Sequence, residues 1–61
     1  MTKQEKIEWA ANVVDECDVI LMDYFPLMTM FEEARDKSGL EYCISDEDLE
    51  MFVDMVLDEE I

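Results

Sequence analysis

The sequence predicts an all-α fold: a compact antiparallel bundle of three helices, at about 3–22, 24–38 and 46–60, in one small acidic domain spanning 1–61. Three observations lead there. Apolar residues recur at helical spacing through three segments, with acids on the opposite sides. The first and third segments open on capping-box patterns. The only proline and the only glycine stand where helices should restart and stop.

Thr2-Lys3-Gln4-Glu5 is a capping box and opens the first helix. Its apolar arc gathers Ile7, Trp9, Ala10, Ala11, Val13, Val14, Cys17, Ile20 and Leu21, and the other side holds Glu5, Glu8, Asn12, Asp15, Glu16 and Asp23. Asp18 falls inside the apolar arc, so it belongs at an edge or a helix end; Val19 falls on the polar side. In Asp23-Tyr24-Phe25-Pro26 the chain stops and restarts, with proline in a first turn where its missing N–H has no partner to lose and Asp23 placed to cap. The second helix carries Leu27, Met30, Phe31 and Ala34 on one face, extended by Tyr24 and Met28, and ends at Gly39, a left-handed terminator with Leu40 folding back. Glu41 to Cys43 then reads as a short extended link. In the third helix Ser45 is the cap, Asp48 reaches back to it, and Ile44 and Leu49 form a hydrophobic staple. Leu49, Phe52, Val53, Met55, Val56 and Leu57 share its apolar arc, opposite Glu47, Glu50, Asp54 and Asp58.

A chain this short buries roughly 60% of the surface its unfolded form exposes. Only Cys17 and Cys43 are available for a bridge, and with no secretory signal ahead of the first helix they read as reduced thiols in a cytoplasm. The most apolar window, Val19 to Phe31, is broken by Asp23 and Pro26 and falls short of the ~20 residues a membrane span needs. A net charge of −14 also argues against an anionic lipid surface and against nucleic acid as a direct ligand. At 51% hydrophobic, the chain is too apolar for disorder.

The apolar arcs of the first and third helices are wider than one core face requires. Either each helix touches two neighbours, or the excess marks a second interface, a homodimer or a partner groove. That interface would involve Trp9, Val19, Met22, Met51 and Met55. The six methionines suit an irregular core and an adaptable surface equally.

Nothing in the pattern points to catalysis. Histidine is absent, so the commonest general base and imidazole ligand are missing. Cys17 reads as a buried small hydrophobe; Cys43 sits nearer the surface, where Glu41 and Asp46 disfavour a thiolate. No cofactor, metal or catalytic residue is expected, and an enzyme is not. Phe31-Glu32-Glu33-Ala34, Asp36-Lys37-Ser38-Gly39, Ile44-Ser45 and Asp48-Leu49 together resemble a calcium-binding EF-hand over about 20 residues. A loop begun at Asp36 puts Leu40 at its fifth position and Glu41 where glycine is required, and one begun at Lys37 loses the first ligand. The segment therefore reads as a helix–loop–helix without metal.

The acidic surface carries the functional expectation. Bases occur only at Lys3 and Lys6 and at Arg35 and Lys37; from Ser38 onward there are nine acids and no base. Glu47, Glu50, Asp54 and Asp58 would space charges by roughly 5.5 Å along a helix rising 1.5 Å per residue, against 3.4 Å for a DNA strand. A second row from Glu8, Asp15, Glu16 and Asp23, if coplanar, would come within a factor of about two of a single strand. In size and charge such a chain resembles phage-encoded host-takeover and anti-defence inhibitors, acidic anti-CRISPR proteins among them. The segregated acid excess itself points to a small inhibitor that engages a basic partner, a nucleic-acid-binding enzyme or complex, in competition with DNA or RNA. The alternative is a structural or regulatory interaction module, homodimer or adaptor, that binds through the apolar face. Carboxylates crowded this closely should also titrate above their ordinary values when folded, favouring low pH.

Overall fold

A computed structural model of the chain describes all residues except Asp18, Ile20 and Leu21. It contains three helices, α1 (Lys3–Glu16), α2 (Tyr24–Ser38) and α3 (Asp46–Leu57), packed as a three-helix bundle. The expected all-α three-helix bundle holds, and the bounds of α2 match the prediction.

Both predicted capping boxes form. Thr2 Oγ1 accepts from the Glu5 amide (3.2 Å) while Glu5 Oε1 accepts from the Thr2 amide (2.9 Å). Ser45 and Asp48 make the same reciprocal pair at 3.2 and 3.0 Å, with the staple residues Ile44 and Leu49 both buried. Gly39 ends α2 at φ 68°, where a side chain would be strained, and the Leu40 amide returns to the Arg35 carbonyl at 3.1 Å.

Four local expectations need correction. The first helix ends at Glu16 rather than near residue 22, because Cys17 turns extended (φ −123°, ψ 149°). Asp15 and Glu16 place two anions at the negative end of the helix dipole with no base to offset them. Val19 and Met22 accordingly lie outside any helix, half-buried against the core, and Cys17 is exposed rather than buried. The expected placements of Ile20, Leu21 and Asp18 fall outside the described residues. Asp23 starts α2 through its backbone only, its carbonyl accepting from Leu27 while its side chain makes no cap bond. Residues 41–43 form a turn, held by Cys43 and Ile44 amides on the Leu40 carbonyl (3.0 and 2.9 Å), not an extended link. Finally, α3 stops at Leu57 because Glu59 turns left-handed at φ 61°, letting the Glu60 amide reach the Met55 carbonyl at 2.7 Å.

The core is a cluster of Ala10 from α1, Leu27 and Phe31 from α2, Ile44 before α3, and Leu49, Phe52 and Val53 within it. At its centre one ring comes from each helix. Trp9, Phe31 and Phe52 stand 5.7–6.3 Å apart in tilted pairs, the geometry ring quadrupoles favour. Trp9 is thus half-buried against two aromatic neighbours, which accounts for much of α1's wide apolar arc. Among the described residues, no helix is long and apolar enough to cross a membrane.

Two outcomes follow for stability. Phe52→Ala removes a ring from the triad and should cost about 3–5 kcal/mol, enough to abolish cooperative unfolding in a chemical melt followed by circular dichroism. Glu59→Gly relieves the left-handed backbone and removes an anion from the end of α3, so its melting midpoint should rise, by about 0.5–1 kcal/mol of stability.

Candidate functional site

Two ion pairs set how charge is distributed over the bundle. Lys6 Nζ in α1 donates to Asp48 Oδ2 in the first turn of α3 at 2.8 Å, both side chains largely covered. Arg35 Nη1 near the end of α2 donates to the Ile44 carbonyl (3.2 Å) and to Asp46 Oδ1 (3.1 Å). Arg35 Nε is buried without a hydrogen-bond partner, 3.7 Å from Asp36 Oδ1. These contacts bring the start of α1, the end of α2 and the start of α3 to one end of the molecule. Lys3 lies one turn before Lys6, and Lys37 in the last turn of α2, so all four bases gather there.

The other end holds Asp15 and Glu16 closing α1, Asp23 before α2, and Asp54, Asp58, Glu59 and Glu60 at the end of α3. These are seven exposed carboxylates with no base among the described residues. The outer side of α3 continues them through Glu50 and Glu47, also exposed. All eight acids singled out in the sequence therefore face solvent. Met51 and Met55, three and seven residues beyond Asp48, share by helical spacing the side of α3 that meets Lys6, and both are half-buried, Met51 packing against the core. On the α3 row, Glu50 and Asp54 lie near Tyr24 at the start of α2. Burial first, then the nearby Glu50 and Asp54 carboxylates, raise the Tyr24 hydroxyl above its usual pKa.

The apolar residues named as an alternative contact face are spread around the bundle. Trp9 belongs to the aromatic triad, Met51 packs against the core and Met55 is half-buried. Val19 and Met22 line a groove of about 330 Å3 with Val56, Leu57, Glu59 and Ile61. The large apolar side chains that are exposed are different ones: Phe25 at 79%, and Leu57, Met1 and Tyr42. A larger groove, about 460 Å3, runs between α1 and α2 over Trp9, Val13, Met30 and Ala34. Sequence reasoning named Trp9 for a possible second interface but put Asn12 and Glu16 on the polar side and Met30 and Ala34 on the core face, so the groove they form together was missed. Among the described residues, no three His, Cys, Asp or Glu side chains group so as to hold a metal ion.

Against protein-family models, curated proteins and solved structures, the chain finds no match. Its chemistry must be judged from the site alone.

At Asp48 and Glu5 the expected upward shift is reversed. The Lys6 ammonium, helped by the Ser45 backbone amide, holds Asp48 below its ordinary 3.8, and the Thr2 backbone and hydroxyl hold Glu5 below 4.5. Both are individually paired, which outweighs the general crowding of charge. A carboxylate with a lower pKa folded than unfolded binds fewer protons when folded. Its contribution is therefore complete above the unfolded value and is lost as pH falls through the folded one. Chemical melts across pH 2.5–6 should show stability declining on acidification below about 4. Asp48→Asn should lower stability at neutral pH and flatten that decline.

Proposed function

We propose that this chain is a small cytoplasmic binding protein, not an enzyme, that inhibits a basic nucleic-acid-handling protein by occupying the surface that nucleic acid would use. The single observation that supports it is the segregation of charge, with seven carboxylates and no base among the described residues of one end, continued along α3 by Glu50 and Glu47.

Density decides whether such a surface can compete with a polyanion. Spread evenly, 14 net charges over 4226 Å2 give roughly one per 300 Å2, too dilute beside the ~100 Å2 per charge of a duplex. Seven charges confined to about a third of that surface would come to roughly one per 200 Å2, within a factor of about two of the duplex. A gathering of that kind at one end would serve in place of two coplanar helix rows. Phosphate-binding lysines and arginines would meet carboxylates at helix C-termini, where a cation also offsets the helix dipole. An acidic inhibitor of this kind gains association rate as well as affinity, because the field steers the basic partner toward it.

The partner can be retrieved from native host extract with the immobilised chain, and its affinity then measured against salt. Affinity should fall steeply as ionic strength rises, and a nucleic acid bound by the partner should be displaced. Charge reversal of Asp54 and Asp58, which leaves the aromatic core untouched, should weaken binding by at least about tenfold, or 1.4 kcal/mol. Affinity indifferent to salt and to these substitutions would end the proposal.

A further inference from the structure

The groove between α1 and α2 is built like a seat for another helix. Trp9, Asn12, Val13 and Glu16 fall at successive i, i+3, i+4 and i+7 positions of α1, and Met30, Glu33, Ala34 and Lys37 do the same on α2. Trp9, Val13, Met30 and Ala34 are half-buried, forming an apolar floor, and Ala34 offers little bulk to hold a neighbour away. The acids Glu16 and Glu33 stand exposed on the two walls, with Lys37 as the one base. Two stripes of this spacing, side by side on adjacent helices, are what a four-helix bundle presents to its fourth member.

We infer that this groove binds an amphipathic helix of a partner protein, one with an apolar face and lysines or arginines flanking it. Charge complementarity selects that occupant. A second copy of the chain would bring another −14 charges against the first, whereas flanking bases would meet Glu16 and Glu33. Apolar anchors at i, i+3 or i+4 and i+7 of the incoming helix would cover Trp9 and Val13 on one side and Met30 and Ala34 on the other. The inference rests on the proposed basic partner and adds the secondary structure and the apolar anchors by which that partner is held.

Trp9, the one tryptophan, lies in the groove floor and reports occupancy through its emission. The probes are two tryptophan-free peptides of identical leucine and lysine composition, one with leucines at i, i+3, i+4 and i+7, the other permuted to have no apolar face. The first should bind at least about tenfold more tightly and blue-shift Trp9, and Ala34→Arg should abolish that preference while leaving weak, salt-sensitive binding of the permuted peptide. Glu33→Lys, at an exposed position, provides the same comparison should Ala34→Arg not fold, with an expected weakening of about fivefold or more. Equal affinity for the two peptides, or an unmoved Trp9 emission, overturns the groove assignment while leaving the electrostatic proposal intact. Peptide binding insensitive to salt overturns both. Light scattering that shows a dimer dispersed by Ala34→Arg would give the groove to a second copy and overturn the inference.

Discussion

The contact among Trp9, Phe31 and Phe52 is the constraint on which the rest of this bundle depends. Each helix donates one ring, and no pair of helices alone completes the set. In a chain of 61 residues with seven fully buried side chains among those described, three large rings near the middle of their helices fix the level at which the helices meet. Once that level is fixed, Lys6 reaches Asp48 and Arg35 reaches Asp46, because these pairs lie about one to two turns from the triad on the same side. The ion pairs are partly exposed and individually modest. They set direction more than stability: they require the start of α1, the end of α2 and the start of α3 to share one end, and they leave the opposite end to the acids.

Much of the fold was legible because its signals are local. A Ser or Thr followed three residues later by a carboxylate closes a box within one turn, and both boxes formed. Gly39 is left-handed because the backbone there needs positive φ, which a single residue type announces. Proline in the first turn of α2 is equally local. What failed was also physical. The end of α1 carries only a weak signal, two anions at the negative end of the helix dipole, against an apolar periodicity that continues past them. The end of α3 depends on a left-handed glutamate, which no residue preference signals.

The candidate site divides the same way. That Glu47, Glu50, Asp54 and Asp58 would face solvent follows from helical spacing alone. That Trp9 would turn inward, and that Met51 would pack against the core, depends on which neighbour each helix meets. The pairing of Lys6 with Asp48, 42 residues apart, has no local signature. The grouping of bases at one end could have been read, however. In any up–down–up bundle the start of the first helix lies beside the end of the second, and Lys3, Lys6, Arg35 and Lys37 occupy those two places. Alternation of helix direction, combined with charge position, was the signal available.

Gathering the cations at a single pole makes the molecule an electric needle as well as a polyanion. Far from any surface, its torque in an external field is set by the separation of the centres of opposite charge. Near a strongly positive body it would turn its bare acidic tip inward before any side chain touched. Encounter would begin with orientation already chosen, and the tip bearing the lysines would trail into the solvent.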